Sequence, residues 1–429
     1  MTMVVASVML AGFFAGRAGT EETFDDLLAG LKSPNAKTRQ EAAEALGKGR
    51  RREAVGPLST LVRDPEPKVR LEVVRSLRSL RDLAGVPALT TSVGDGDPKI
   101  REEAIAGLVE IYAEPERTTP VVGKLLGVFS DEYEPPPVPV FSKVDPAVFR
   151  ALGTALRDEE ASIREAAAVA AGLLGGRSLI GDLRAALQDP QTSVRGAAVV
   201  AIGLVGTPED GKALIPLLAD ESTGVRNRAL HAIGTLKVQD AAAPLREIYE
   251  ANKRKDVGLR ALDCLSRVGD PAQMDLFKEL SQDPDLERRR IAIEGLGRLA
   301  DPSFIAAFKK DFQRERNDEV RLAYAFALTR LGDHVFVDSL VLNLSSRTSG
   351  RRCRAYILEL GRGILPDLGP YLADPEAEIR AQLSEILGIM GDPAAIPLLT
   401  PLLNDPNAKV ADHANVALER LRRAGATNP

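Results

Sequence analysis

The chain has no tryptophan, only two cysteines and three histidines in 429 residues, and aromatic residues make up just 4% of it. Each scarcity excludes something. Cys264 and Cys353 stand too far apart in sequence for metal-ligand spacing, and a chain of this length needs no disulfide staple. His231, His334 and His413 are equally scattered, so His231 reads as a packed or solvated helix histidine rather than half of a catalytic pair. With so few rings, and with Ala, Leu and Val dominating a 44% hydrophobic content, close helix packing is favoured over ring-filled sheets. No Gly-x-Gly-x-x-Gly follows a strand pattern, and neither a Gly-x-x-x-x-Gly-Lys-Ser/Thr loop nor a Gly-x-Ser-x-Gly elbow occurs. A strong charge of one sign is missing too. The formal charge is −5 with 27% charged residues, which provides no global field for nucleic acid or an anionic membrane.

Long apolar runs are also lacking beyond the N-terminus. Val4 to Phe14 is apolar, with Gly16 and Ala18 placed like the small residues of a cleavage site, so residues 1–18 are expected to be a cleaved signal and the protein to be exported, periplasmic or extracellular. No Lys or Arg precedes the run, which keeps an apolar cap helix on a cytoplasmic protein as the alternative. No other stretch approaches the ~20 apolar residues of a membrane span.

What is present is a repeat. An acidic residue is followed six positions later by Arg in "DPEPKVR", "DGDPKIR", "DEEASIR", "DPQTSVR", "DESTGVR" and "DPEAEIR". Arg39, Arg70, Arg101, Arg164, Arg195 and Arg226 are spaced 31, 31, 63, 31 and 31, a period of 31 with one double step. Relative to each Arg, apolar residues fall at −1, +3, +4 and +7, one face of a helix, as with Val69, Val73, Val74 and Leu77. A second apolar set at −15, −12 and −8, such as Val55, Leu58 and Val62, marks a shorter helix upstream. Each unit is a helical hairpin, punctuated by Asp-Pro between its helices and Gly-Asp-Pro between hairpins.

Thirteen slots follow, with reference positions 39, 70, 101, 137, 164, 195, 226, 258, 289, 321, 352, 380 and 411; Arg is absent only at Pro137, Gly258 and Ala411. One hairpin cannot bury its apolar face alone, so the units must stack. The expected fold is all-α: a solenoid of about thirteen hairpins of ~31 residues.

The 31-residue helix pair, the Asp-to-Arg spacing of six and the Gly-Asp-Pro junctions resemble the HEAT-repeat family, in particular the short HEAT-like repeats of phycobilin lyases. The resemblance covers nearly all of residues 21–422 and implies a right-handed superhelix. It also implies a structural ladder between repeats from Asp64/Arg70, Asp95/Arg101, Asp158/Arg164, Asp189/Arg195, Asp220/Arg226 and Asp374/Arg380. The di-iron hydroxylase branch of HEAT-like proteins is excluded, because no His-Glu pair exists to supply its ligands. No catalytic residue, cofactor or metal is expected.

The segment "DEYEPPPVPVF" (131–141) breaks the pattern. Residues 118–132 fit a first helix, but four prolines within 135–139 forbid the second. Repeats are therefore expected at 19–131 and 145–422, with a Pro-rich loop at 132–144 and a disordered tail at 423–429. A missing helix should expose its neighbours, and the next two second helices carry apolar residues at +5 and +9, Val169, Leu173, Val200 and Leu204. Val138, Val140 and Phe141 either cover that surface or form a partner-binding groove with it; an inert linker is the third reading.

Basic clusters at Arg50 to Arg52, Lys253 to Lys255, Arg288 to Arg290 and Arg351 to Arg354 are interleaved with acids such as Asp256, Glu287 and Glu294, which weakens a phosphate-tracking reading. Phe304, Phe308, Phe312, Tyr324, Phe326 and Phe336 read as a locally larger core. The function expected is a non-enzymatic scaffold binding a protein or peptide through the inner surface of the solenoid; a bilin-lyase-like accessory protein and a nucleic-acid-binding solenoid are the alternatives.

Overall fold

The computed structural model describes residues 23–112 and 143–426, and among them there are helices and turns but no strand. The expected leader and most of the Pro-rich segment, with Val138, Val140 and Phe141, lie outside the described residues.

The helices pair as hairpins, the first helix often opening or closing with a 3-10 turn. Repeats 1 to 3 join α1 (Phe24–Gly30) to α2 (Ala36–Lys48), α3 (Val55–Ser59) to α4 (Pro67–Leu80), and α5 (Val86–Ser92) to α6 (Pro98–Tyr112). Repeats 4 to 6 join α7 (Pro146–Ala155) to α8 (Ala161–Leu173), α9 (Ile180–Ala186) to α10 (Thr192–Val205), and α11 (Pro208–Gly211) to α12 (Thr223–Leu236). Repeats 7 to 9 join α13 (Ala242–Ala251) to α14 (Asp256–Val268), α15 (Met274–Leu280) to α16 (Leu286–Leu299), and α17 (Ile305–Arg314) to α18 (Asp318–Arg330). Repeats 10 to 12 join α19 (Val337–Val341) to α20 (Gly350–Leu360), α21 (Leu365–Leu368) to α22 (Ala377–Met390), and α23 (Ile396–Leu399) to α24 (Ala408–Ala426). Twelve of the thirteen slots thus fold as hairpins among the described residues, and helix α24 runs four residues into the expected tail.

The core is the predicted apolar face. Val69, Val73, Val74 and Leu77 of α4 are fully buried, each contributing about 1.5–3 kcal/mol relative to exposure. Consecutive second helices approach closely at one recurring small residue, eight positions after the reference: a Cβ on Gly172 would stand 2.9 Å from the Ala201 Cα, and one on Gly297 would stand 2.7 Å from the Ala327 Cα. Gly-Asp-Pro works as its chemistry dictates. Gly269 ends α14 at φ 68°, and the Asp270 carboxylate accepts the Ala272 N–H at 3.0 Å.

Arg70 shows how repeats are tied. Its Nε and Nη2 hold both oxygens of Asp95 in the next repeat at 2.7 and 2.9 Å, while Nη1 donates to the Asp64 carbonyl, six residues back, at 2.8 Å. Arg39–Asp64, Arg164–Asp189, Arg195–Asp220 and Arg380–Asp405 repeat the two-pronged contact at 2.7–3.0 Å. The Asp and Arg six apart are therefore linked through the Asp carbonyl, and the carboxylate belongs to the preceding repeat's Arg. Arg226 has no such partner among the described residues, since Asn252 stands where the next acid should be; it turns to the Asp220 carbonyl and the Thr223 hydroxyl at 2.6 and 2.7 Å.

Two features were not expected. α6 packs directly on α8, and Arg101 reaches Asp158, 57 residues on, at 2.8 Å, so repeats 3 and 4 stack on each other. Ile105, Leu108 and Ile163 on the abutting faces are fully buried. The reference position of repeat 10 is Gly350 rather than Arg352. A Cβ on Gly350 would collide with the Leu344 carbonyl six residues back, as one on Gly258 would with Asn252, so both turns are too tight for a ladder Arg. Arg352 is consequently no rung and turns to the opposite side of its helix.

Candidate functional site

Once the first helices cover one side of each second helix, positions +5 and +9 from the reference lie on the other, inner side. Along repeats 4 to 10 the +5 row reads Val169, Val200, His231, Asp263, Glu294, Phe326 and Ala355, and the +9 row Leu173, Leu204, Thr235, Arg267, Arg298, Arg330 and Glu359. The face is apolar at one end and densely charged at the other. At the charged end a cavity of about 300 Å³ is bounded by side chains of α12, α14, α16 and α20, among them His231, Asp263, Arg290, Glu294, Arg298 and Tyr356.

The floor of that cavity is a buried ion network. Arg298 donates through Nε and Nη2 to both oxygens of Glu359 at 2.9 Å, and through Nη1 to the Ser266 hydroxyl at 2.8 Å. Its guanidinium lies 5.2 Å over the Phe326 ring, which stacks on Tyr356 with centroids 4.6 Å apart. Glu294, 2% exposed, accepts from Arg290, from the Tyr356 hydroxyl and, at 3.3 Å, from Arg298. Arg352 adds an ion pair to Glu319 at 2.7 Å, and Arg267 one to Asp263 at 3.0 Å. Repeats 8 and 10 are thereby joined over repeat 9, whereas a solenoid usually links only neighbours.

These surroundings fix protonation states. Burial alone would raise the Glu294 carboxyl, but Arg290, Arg298 and Arg352 outweigh it and hold it down at about 2. Burial pushes the Tyr356 hydroxyl well above its ordinary value, with Glu294 adding to the effect. Burial and the Arg267 charge push His231 down to about 4, so it is neutral at physiological pH. Burial raises the Cys264 thiol, and Cys353 to about 12.

Of the sequence-predicted surface, Val169 and Val200 are each 4% exposed, and Leu173 and Leu204 are half-buried beside them on α8 and α10. The aromatic group splits. Phe304, Phe308 and Tyr324 form a chain of ring contacts with centroids 5.3 Å apart, as a larger core requires, and Phe312 meets Phe336 at 4.9 Å; Phe326 instead belongs to the inner network. Arg290 and Arg352, read from sequence as parts of basic clusters, and Glu294, read as a diluting acid, are partners in one network. Arg298, Tyr356 and Glu359 drew no notice in the sequence, although counting +9 from each reference would have aligned Arg267, Arg298 and Arg330.

The family profile for HEAT repeats matches residues 24–109, 149–233 and 211–292, together more than half of the chain. The chain belongs to the HEAT-repeat family. A profile for the PBS lyase HEAT-like repeat matches residues 379–405, the junction of the eleventh and twelfth described HEAT repeats. No curated protein matches the chain. Among solved structures, it is similar to an engineered protein at 17% identity, covering 93% of this chain and 98% of that one with a TM-score of 0.37. It is also similar to the complex of CpcE and CpcF of phycocyanin lyase from Nostoc sp., at 20% identity, covering 61% of this chain and 100% of that one with a TM-score of 0.30.

Proposed function

We propose that this HEAT-repeat chain is a non-enzymatic scaffold or adaptor that binds another protein along the inner face of its second helices. The observation that carries the reading is the pair of inner rows: across seven repeats they pass from Leu173 and Leu204, through Thr235 and His231, to the charged network around Glu294. Apolar anchors beside charged groups suit a polypeptide laid along the stack. The protonation states argue in the same direction. General acid–base work needs a group poised near the working pH, and in the cavity Glu294 stays ionised, Tyr356 and Cys264 stay protonated and His231 stays neutral. Affinity capture from the native host tests the reading, with Leu173→Asp/Leu204→Asp as the inner-face variant. Loss of a captured partner by a folded variant is expected; identical capture would count against it.

The match to the PBS lyase HEAT-like repeat favours one second reading, an accessory protein of the bilin-lyase kind. Titration with linear tetrapyrroles distinguishes the two, since binding would alter bilin absorbance and an unchanged spectrum would exclude it. Export remains part of the proposal. An N-terminus beginning after Ala18 in protein from the native host is expected, and a retained Met1 would rule out cleavage there.

A further inference from the structure

We infer that the inner groove beside Glu359, between Arg330 and Lys237, binds an acidic side chain of an extended peptide. The inference rests on the protein-binding reading above and names the chemistry of the partner.

Arg267, Arg298 and Arg330 occupy the same +9 position on α14, α16 and α18, so the register sets three arginines in one row, of which Arg267 and Arg298 line the cavity. Two of them are engaged, Arg298 by Glu359 and Arg267 by Asp263. Arg330 is not: it makes no ion pair among the described residues, and its Nε is buried without an acceptor. Lys237, exposed at the end of α12, likewise makes no ion pair among the described residues. Partial desolvation first, and then the charges of Arg330 and Arg298, lower its pKa, while Glu359 opposes them. Glu359 in turn is stabilised as a carboxylate by Arg298, Arg330 and Arg267 against the effect of its burial. Four cations thus share Glu359, Asp263 and one contact to Glu294, and a further carboxylate would pair with the Arg330 guanidinium and relieve the crowding around Lys237.

A carboxylate fits better than a run of phosphates. Glu359, Asp263 and Glu294 line the same floor and would repel a polyanion held at close range. An extended chain fits the spacing: packed helices lie about 8–10 Å apart, which three residues of extended backbone span at roughly 3.3 Å each. An acid at every third position would therefore meet the site in some register.

The test uses the full chain and fluorescence anisotropy with three labelled probes: a Glu-Ser-Gly repeat peptide, its Gln-Ser-Gly counterpart and an oligothymidylate of equal charge. The Glu peptide should bind about tenfold more tightly than the Gln peptide, with affinity falling as salt rises. Lys237→Gln/Arg330→Gln should abolish that preference with an unchanged melting temperature, and Lys237→Gln, at an exposed position, should weaken it by itself. Equal affinity for the two peptides, an undiminished preference in the variants, or tighter binding of the oligothymidylate would overturn the site. In partner capture, loss by Lys237→Gln/Arg330→Gln as well as by Leu173→Asp/Leu204→Asp supports it. Loss by the leucine variant alone removes the acid site and leaves the inner-face reading standing; loss by neither removes both.

Discussion

Arg298 and Glu359 are 61 residues apart in sequence, yet form a two-pronged ion pair at 2.9 Å that joins the eighth and tenth described repeats across the ninth. The side chains are 5% and 13% exposed, so removing one partner strands a charge in a poorly hydrated site. Glu359→Gln should cost about 3 kcal/mol in urea denaturation, and Arg298→Met/Glu359→Leu should lose clearly less than the two single changes added together. Strict additivity would show that the pair carries no coupling.

The ladder makes a graded prediction. Arg195→Ala leaves the Asp220 carboxylate, 6% exposed, without its main partner and should cost about 2 kcal/mol. Arg226→Ala removes only bonds to a carbonyl and a hydroxyl and should cost about 1 kcal/mol or less. Thermal melting of the two variants checks the order, and equal losses would mean that the carboxylate grip adds nothing.

Much of this ladder was legible in the sequence, because a spacing of six within a repeat and 31 between repeats is local information. The inner network was not. Glu294 and Arg298 look like solvated helix charges until Tyr356 and Glu359 arrive from two repeats away, and the tight turn at Gly350 shifts the register just where Arg352 imitates a ladder Arg. The Pro-rich interruption at 132–144 is an expectation that falls almost wholly outside the described residues; the direct packing of α6 on α8 was not legible in the sequence, since it depends on contacts between faces far apart in the chain.

His231 predicts a pH dependence. Its folded pKa of about 4 lies below the ordinary 6.5, so the unfolded chain binds more protons between those values and stability falls as pH drops from about 6.5 toward 4. Asp64, Asp189 and Asp220 are held below their ordinary carboxylate values by Arg39, Arg164 and Arg195, and Glu294 is held at about 2, so their contributions are lost only in more acidic solution. Between pH 7 and pH 5 the protein should lose about 2 kcal/mol through His231, and His231→Gln should flatten that change. Denaturation midpoints at the two pH values check it; an identical drop in the variant would assign the slope elsewhere.

Ala300 ends α16 at φ 56°, in the left-handed region that Gly269 and Gly391 occupy at φ 68° and 65° after other second helices. A Cβ in that conformation is strained, so Ala300→Gly should stabilise the chain by about 0.5–1 kcal/mol, read as a higher melting temperature. A lower one would mean that the added freedom of the unfolded chain outweighs the relief.

Site-specific photocrosslinking in the native host tests the central claim most directly. A photoreactive residue is placed in turn at Leu173, Leu204 and Thr235 on the inner rows, and at Leu83 and Val335, which are exposed outside them. The account predicts one discrete crosslinked protein from the inner positions and none from Leu83 or Val335. The same adduct from the outer positions, with none from the inner rows, would contradict it.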